Sequence, residues 1–199
     1  MCALFIVPGF GGSRLQAKLD GKPSKPHWIC DSVTSDFFEI WLNLQLFTPL
    51  VVDCFVDNMK MIFNTTTRQC VNNIGVEARV KSFGTDTDLV EWLDTVKFPQ
   101  AKYFATIADA LVSWGYVRGE SLRAAPFDWR LKPTDLDPFY NQLKALIQQT
   151  SWNNNNQKVV LIGHSMGNIH VNYFLRNYVS QAFRDRYIQS HVAIAAPWS

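Results

Sequence analysis

The sequence predicts an α/β protein with a mostly parallel sheet. Short apolar runs at 3–7, 158–162 and 189–196 read as buried strands, and residues 101–114, 136–147 and 166–178 carry helical apolar spacing. Strands alternating with helices pair in parallel through right-handed crossovers.

In chain order, Met1-Cys-Ala-Leu-Phe-Ile-Val-Pro-Gly9 has no basic flank, and its apolar run is too short for a secretory signal. It reads as a strand entering the turn Pro8-Gly-Phe-Gly-Gly12. A long irregular region follows, roughly 20 to 75. Its apolar run Phe37–Val52 is broken by Glu39, Asn43 and Pro49 and falls short of the ~20 residues a bilayer span needs, so a surface feature or lid is expected and no transmembrane segment. Val76-Glu-Ala-Arg-Val80 alternates like a half-buried strand. The helix expected at 101–114 has its stripe at Phe104, Ile107, Ala108, Leu111 and Val112 and stops at Gly115. A second amphipathic helix is expected over 136–147, then a polar loop tip at Asn153-Asn-Asn-Asn156. Strand 158–162, helix 166–178 and strand 189–196 close the series. The last looks like a core strand that stops three residues from the end, so an incomplete polypeptide is expected.

The chain has 199 residues and is 47% hydrophobic, enough to bury a real core and to exclude disorder. Its 19 basic and 17 acidic residues nearly cancel, which gives no reason to expect a nucleic-acid partner. Aromatics reach 14% and crowd one segment, where a lipid or membrane surface is a natural use. Four cysteines fit either free thiols or disulfides. No cluster of His, Cys and carboxylate has metal-ligand spacing, so no metal or other cofactor is expected.

Gly163-His-Ser-Met-Gly167 matches G-x-S-x-G, a weak motif alone. Its setting strengthens it, because the motif ends a β-branched strand and opens a helix, as a nucleophile elbow requires. Ser165 would then project from a strained turn, and Gly163 and Gly167 would be required because a Cβ at either position would collide with a neighbouring strand or helix. An oxyanion needs donors: one is expected from the backbone N–H of Met166, the second from that of Phe10 in the early Gly-rich turn. His164 by elbow geometry points away from the Ser165 hydroxyl and is expected as a packed histidine.

The sequence resembles the lecithin:cholesterol acyltransferase and lysosomal (group XV) phospholipase A2 family nearly end to end. The likeness rests on Val7-Pro-Gly9, Arg14-Leu-Gln-Ala-Lys-Leu19, Phe38-Glu-Ile-Trp-Leu-Asn-Leu44, Val52-Asp-Cys54 with Asp57-Asn58, and Tyr103-Phe104. It extends through Trp114-Gly-Tyr-Val-Arg-Gly119, Ala125-Pro-Phe-Asp-Trp-Arg130, the serine motif and Ala195-Ala-Pro-Trp198. The resemblance implies an α/β-hydrolase core, a membrane-binding region with a lid, and a serine acyl-enzyme formed from a glycerophospholipid, the acyl group passing to water, another alcohol or a sterol. It implies a disulfide between Cys30 and Cys54, action at a membrane or lipoprotein surface, and a lysosomal or extracellular location; within the loop that the disulfide encloses, Trp41 and Phe47 are candidates either to touch acyl chains or to pack against the core. Asn64-Thr-Thr66 is an N-glycosylation sequon, used only on the secretory route. Asp128 and Arg130 are expected as a structural ion pair, and Cys2 and Cys70 as free thiols. Family members commonly carry a polar or small residue where Phe10 stands, so its ring is expected to alter access near the acyl carbonyl.

The expected division is 1–19, first core strand and oxyanion loop; 20–75, membrane-binding and lid region; and 76–199, core up to the strand after the nucleophile helix. Chain order in such hydrolases is Ser, then Asp or Glu, then His. After Ser165 only His170, Asp185 and His191 are available, and neither histidine falls on a late loop. The base and its acid are therefore expected outside these residues, leaving this chain inactive by itself. The alternative is a non-catalytic lipid-binding isoform with a silent serine.

Overall fold

The computed structural model describes residues 1–198. In chain order the elements are β1 (Ala3–Val7), β2 (Leu15–Leu19), β3 (Phe38–Trp41), α1 (Val51–Met59), β4 (Met61–Asn64), β5 (Gln69–Asn72) and β6 (Val76–Arg79). Then come α2 (Asp88–Glu91), α3 (Ala105–Ser113), β7 (Leu122–Ala124), α4 (Asp137–Asn153), β8 (Val159–His164), α5 (Gly167–Tyr173), α6 (Gln181–Tyr187) and β9 (Ile188–Ile194).

The central sheet has order β7-β1-β8-β9, every pair parallel. β1 is buried along its whole length, as a parallel strand covered on both faces must be. Its residues alternate between two cores. Ala3, Phe5 and Val7 join Leu143, Ile147 and Val171 of α4 and α5, whereas Leu4 and Ile6 join Ala108 and Leu111 of α3. The sheet is thus the middle of three layers. Because Val7 pairs with Gly163 and His164 with Ile194, the segments leaving β1, β8 and β9 emerge side by side at one edge.

A second, antiparallel sheet of order β3-β2-β6 lies over this core, and a hairpin pairs β4 with β5. Leu15, Ala17 and Leu19 alternate inward onto the first core while Gln16 hydrogen-bonds Glu39 on the outer face. The region expected as irregular therefore contains β3, α1 and the hairpin. Helix α1 begins at Val51, two residues after Pro49, and its Cys54 is tied to Cys30 by a disulfide.

Other boundaries moved for physical reasons. The helix expected at 101–114 begins only at Ala105, because the Tyr103 and Phe104 amides go to the Glu91 and Val90 carbonyls. The one expected at 136–147 runs on to Asn153, since Thr150 and Ser151 are buried too, and it ends where Asn155 and Asn156 take positive φ. Helix 166–178 is α-helical only to Tyr173 and widens into a π-turn over Phe174–Tyr178. Among the described residues β9 is an edge strand with Val192 exposed, whereas its apolar run reads as core. No described helix is long and apolar enough to cross a membrane.

Candidate active site

Ser165 sits between β8 and α5 with φ 48°, a left-handed conformation that costs a non-glycine residue on the order of 1 kcal/mol or more. The surroundings hold it there. Its amide donates to the Ile194 carbonyl at 2.9 Å, and its carbonyl accepts from the Asn168 amide and side chain at 3.0 and 3.1 Å. Asn168 is fully buried and also donates to the Ile194 carbonyl at 3.0 Å, while His191 Nε2 donates to its Oδ1 at 2.9 Å. One amide side chain thus binds the elbow, the end of β9 and His191 together.

The glycines around Ser165 leave no room for a side chain. A Cβ on Gly163 would overlap the Asn168 carboxamide, and one on Gly167 would overlap the Val7 and Pro8 carbonyls. Gly9 is part of the same contact, since a Cβ there would lie 2.9 Å from Ser165 Cβ. The turn at 8–12 therefore packs directly on the elbow, as β1 and β8 being neighbours requires. Gly12 N–H closes this turn onto the Gly9 carbonyl at 3.0 Å. Among the described residues the N–H groups of Phe10 and Met166 have no protein acceptor, and Ser165 Oγ makes no protein hydrogen bond.

The histidines are all engaged elsewhere. His164 Nδ1 lies 2.6 Å from the Tyr103 hydroxyl, which in turn accepts from Gly9 N–H at 3.0 Å. Burial raises the Tyr103 phenol and lowers His164, so the phenol donates and the neutral imidazole accepts. His170 is 1% exposed, packed on Phe127 and bonded to the Tyr140 hydroxyl at 2.9 Å, and burial pushes it down to about 4. Burial lowers His191 as well. Asp185 is on α6, bonded to Gln181 at 2.6 Å.

Trp41 and Phe47 lie together, 6.3 Å apart. Trp41 packs against the core through Trp129 at 5.2 Å and donates its indole N–H to the Gly11 carbonyl at 2.7 Å, whereas Phe47 is 42% exposed. The Phe10 ring is 69% exposed and meets Trp129 edge-on at 4.6 Å. Asn64 is exposed at the tip of the β4–β5 hairpin, its Oδ1 accepting from the Thr66 and Thr67 amides. Asp128 and Arg130 form an ion pair at 2.6 Å, and Cys2 and Cys70 are unpaired. Sequence reasoning missed the roles of Tyr103 and Asn168. Tyr103-Phe104 entered only as a mark of resemblance, and a buried polar residue three positions past the serine was the available signal for Asn168.

A parallel sheet with helices on both faces and a serine in a left-handed strand-to-helix turn define a partial α/β-hydrolase core. Residues 37–199 match the family described as lecithin:cholesterol acyltransferase. Over 193 residues the chain is 42% identical to lysosomal phospholipase A and acyltransferase of Canis lupus familiaris, covering 97% of this chain and 46% of that protein. The Homo sapiens protein of that name gives the same identity and coverage. Phosphatidylcholine-sterol acyltransferase of Gallus gallus is 46% identical over 193 residues, covering 97% of this chain and 45% of its own length. The chain belongs to the lecithin:cholesterol acyltransferase family. It spans less than half the length of these curated relatives.

Proposed function

We propose that the protein is a serine-dependent acyl-ester enzyme acting on glycerophospholipids at a membrane or lipoprotein surface. The observation that carries this is Ser165 at φ 48° with the turn at 8–12 packed against it. Ser165 Oγ attacks the ester carbonyl as its proton passes to a base, the Phe10 and Met166 N–H groups receive the developing oxyanion, and the ester C–O bond breaks so that the lysolipid alcohol departs with that proton, leaving an acyl-serine. Water or another alcohol, a sterol included, then takes the acyl group. Phospholipase and acyltransferase both appear in the relatives' names, and the acyl-enzyme is common to the two outcomes.

In this reading the base and its orienting carboxylate come from outside these residues, because His164, His170 and His191 each hold a structural hydrogen bond instead. Segment 20–75 is the membrane-binding and lid region. Its Leu44, Phe47 and Leu50 stand exposed beside Val96 and Phe98 of the 76–199 segment, and an apolar groove of about 450 Å³ between the two segments runs along Leu42, Leu44, Phe98 and Ala101. Residues 1–19 and 76–199 supply core and oxyanion loop, and glycosylation at Asn64 accompanies a lysosomal or extracellular location.

The test uses protein expressed from its own gene on phosphatidylcholine liposomes. Ser165→Ala should remove at least ~10⁴-fold of the turnover, and mass spectrometry should find acyl on Ser165 in the wild type. The isolated 199-residue chain should give no Ser165-dependent turnover. Lipid binding without turnover in the gene product would favour the non-catalytic alternative.

A further inference from the structure

We infer that Tyr103 is a positioning residue for the reaction, holding the Phe10 N–H in place without touching substrate. The inference rests on the proposed serine mechanism and adds to it the group that fixes the oxyanion donor.

Gly9 joins two peptide units. The first presents the Gly9 N–H, which donates to the Tyr103 hydroxyl at 3.0 Å. The second presents the Gly9 carbonyl, which accepts from Gly12 N–H at 3.0 Å. In a trans peptide the N–H points opposite to the C=O, so anchoring the Gly9 carbonyl inside the turn aims the Phe10 N–H outward. Glycine itself resists none of the rotations that would undo this. The Gly12 bond sets the direction from within the turn, and the phenol holds the turn from outside it.

The phenol is itself fixed. Its proton goes to His164 Nδ1 at 2.6 Å, on the residue just before Ser165. Its ring lies under the turn, where a Cβ on Gly12 would come within 2.7 Å of Tyr103 Cε1. One hydroxyl thus links the strand that carries the nucleophile to the turn that carries the donor, setting their separation. Tyr103 reaches this spot because its backbone is pinned to the Glu91 carbonyl at 2.9 Å just before α3.

Tyr103→Phe keeps the ring and removes the link. In protein expressed from its own gene it should lower kcat roughly 10- to 100-fold, with KM for phosphatidylcholine liposomes within about twofold of wild type. Labelling of Ser165 by a fluorophosphonate, whose P=O occupies the oxyanion position, should slow by the same factor. Amide exchange at Gly9 and Phe10 should accelerate while β1 and β8 keep their protection. His164→Leu should reproduce the loss. His164→Asn places an amide oxygen where Nδ1 stood and should recover most of it, which general loosening of the fold would not explain. Unchanged kcat and labelling in Tyr103→Phe overturn the inference while leaving the serine reading intact, and so does a fall confined to KM. A wild type whose Ser165 is neither labelled nor acylated overturns both.

Discussion

At the residue scale, what surrounds Ser165 is mostly absence of volume. Gly167→Ala adds a methyl against the Val7 and Pro8 carbonyls, backbone atoms that cannot retreat without shifting β1. Overpacking of this kind costs about 3 kcal/mol and exceeds the ~1 kcal/mol that helices gain from Ala over Gly. A net loss of about 2 kcal/mol in urea unfolding is expected. His170 gives a pH signature. Its folded value of about 4 lies below the ordinary 6.5, so the unfolded chain takes the proton first. That contribution is complete above pH ~6.5 and drains away as pH falls to ~4, roughly 3 kcal/mol in all. His164 and His191, lowered in the same direction, steepen the slope. Urea midpoints across this range should flatten in His170→Asn, whose amide oxygen keeps an acceptor for Tyr140 where Nδ1 stood. The serine motif was legible because its chemistry is local. Tyr103 and Asn168 were not, since their partners lie 61 and 26 residues away in the chain.

At the element scale, β1 and β8 could be read directly because strands buried on both faces leave unbroken apolar runs. β7 escaped notice, being three residues long with Arg123 at its centre. β2 alternates as Leu-Gln-Ala-Lys-Leu, yet its two partners come from residues 38–41 and 76–79, and nothing local announces that pairing. Helix α1 only begins at the end of the apolar run 37–52, and it is fastened by the Cys30–Cys54 disulfide across a separation of 24 residues. Closing a loop of that length stabilises by about 3 kcal/mol in the chain-entropy model. Cys54→Ser should cost about that much in thermal unfolding, with new proteolytic cuts between residues 31 and 53.

At the scale of the whole molecule, alternating strands and helices foretold the central sheet, but not the antiparallel sheet laid over it, whose strands are short and scattered in the sequence. Exposed apolar residues occur along the chain, and Leu44, Phe47, Leu50, Val96 and Phe98 are among them. If this face enters lipid, Leu44→Ser and Phe47→Ser should each weaken sedimentation with phosphatidylcholine vesicles by about tenfold, and Phe47→Ser should also lower thermal stability because its ring packs on Trp41 and Phe55. Equal sedimentation of wild type and the double variant would rule that face out. The indole of Trp41 ends in the Gly11 carbonyl, so the turn at 8–12 is moored to the overlying sheet as well as to the elbow. Packed matter of this density has little slack. A displacement of the Trp41 indole is therefore handed straight to Gly11, two residues from the glycine that abuts Ser165.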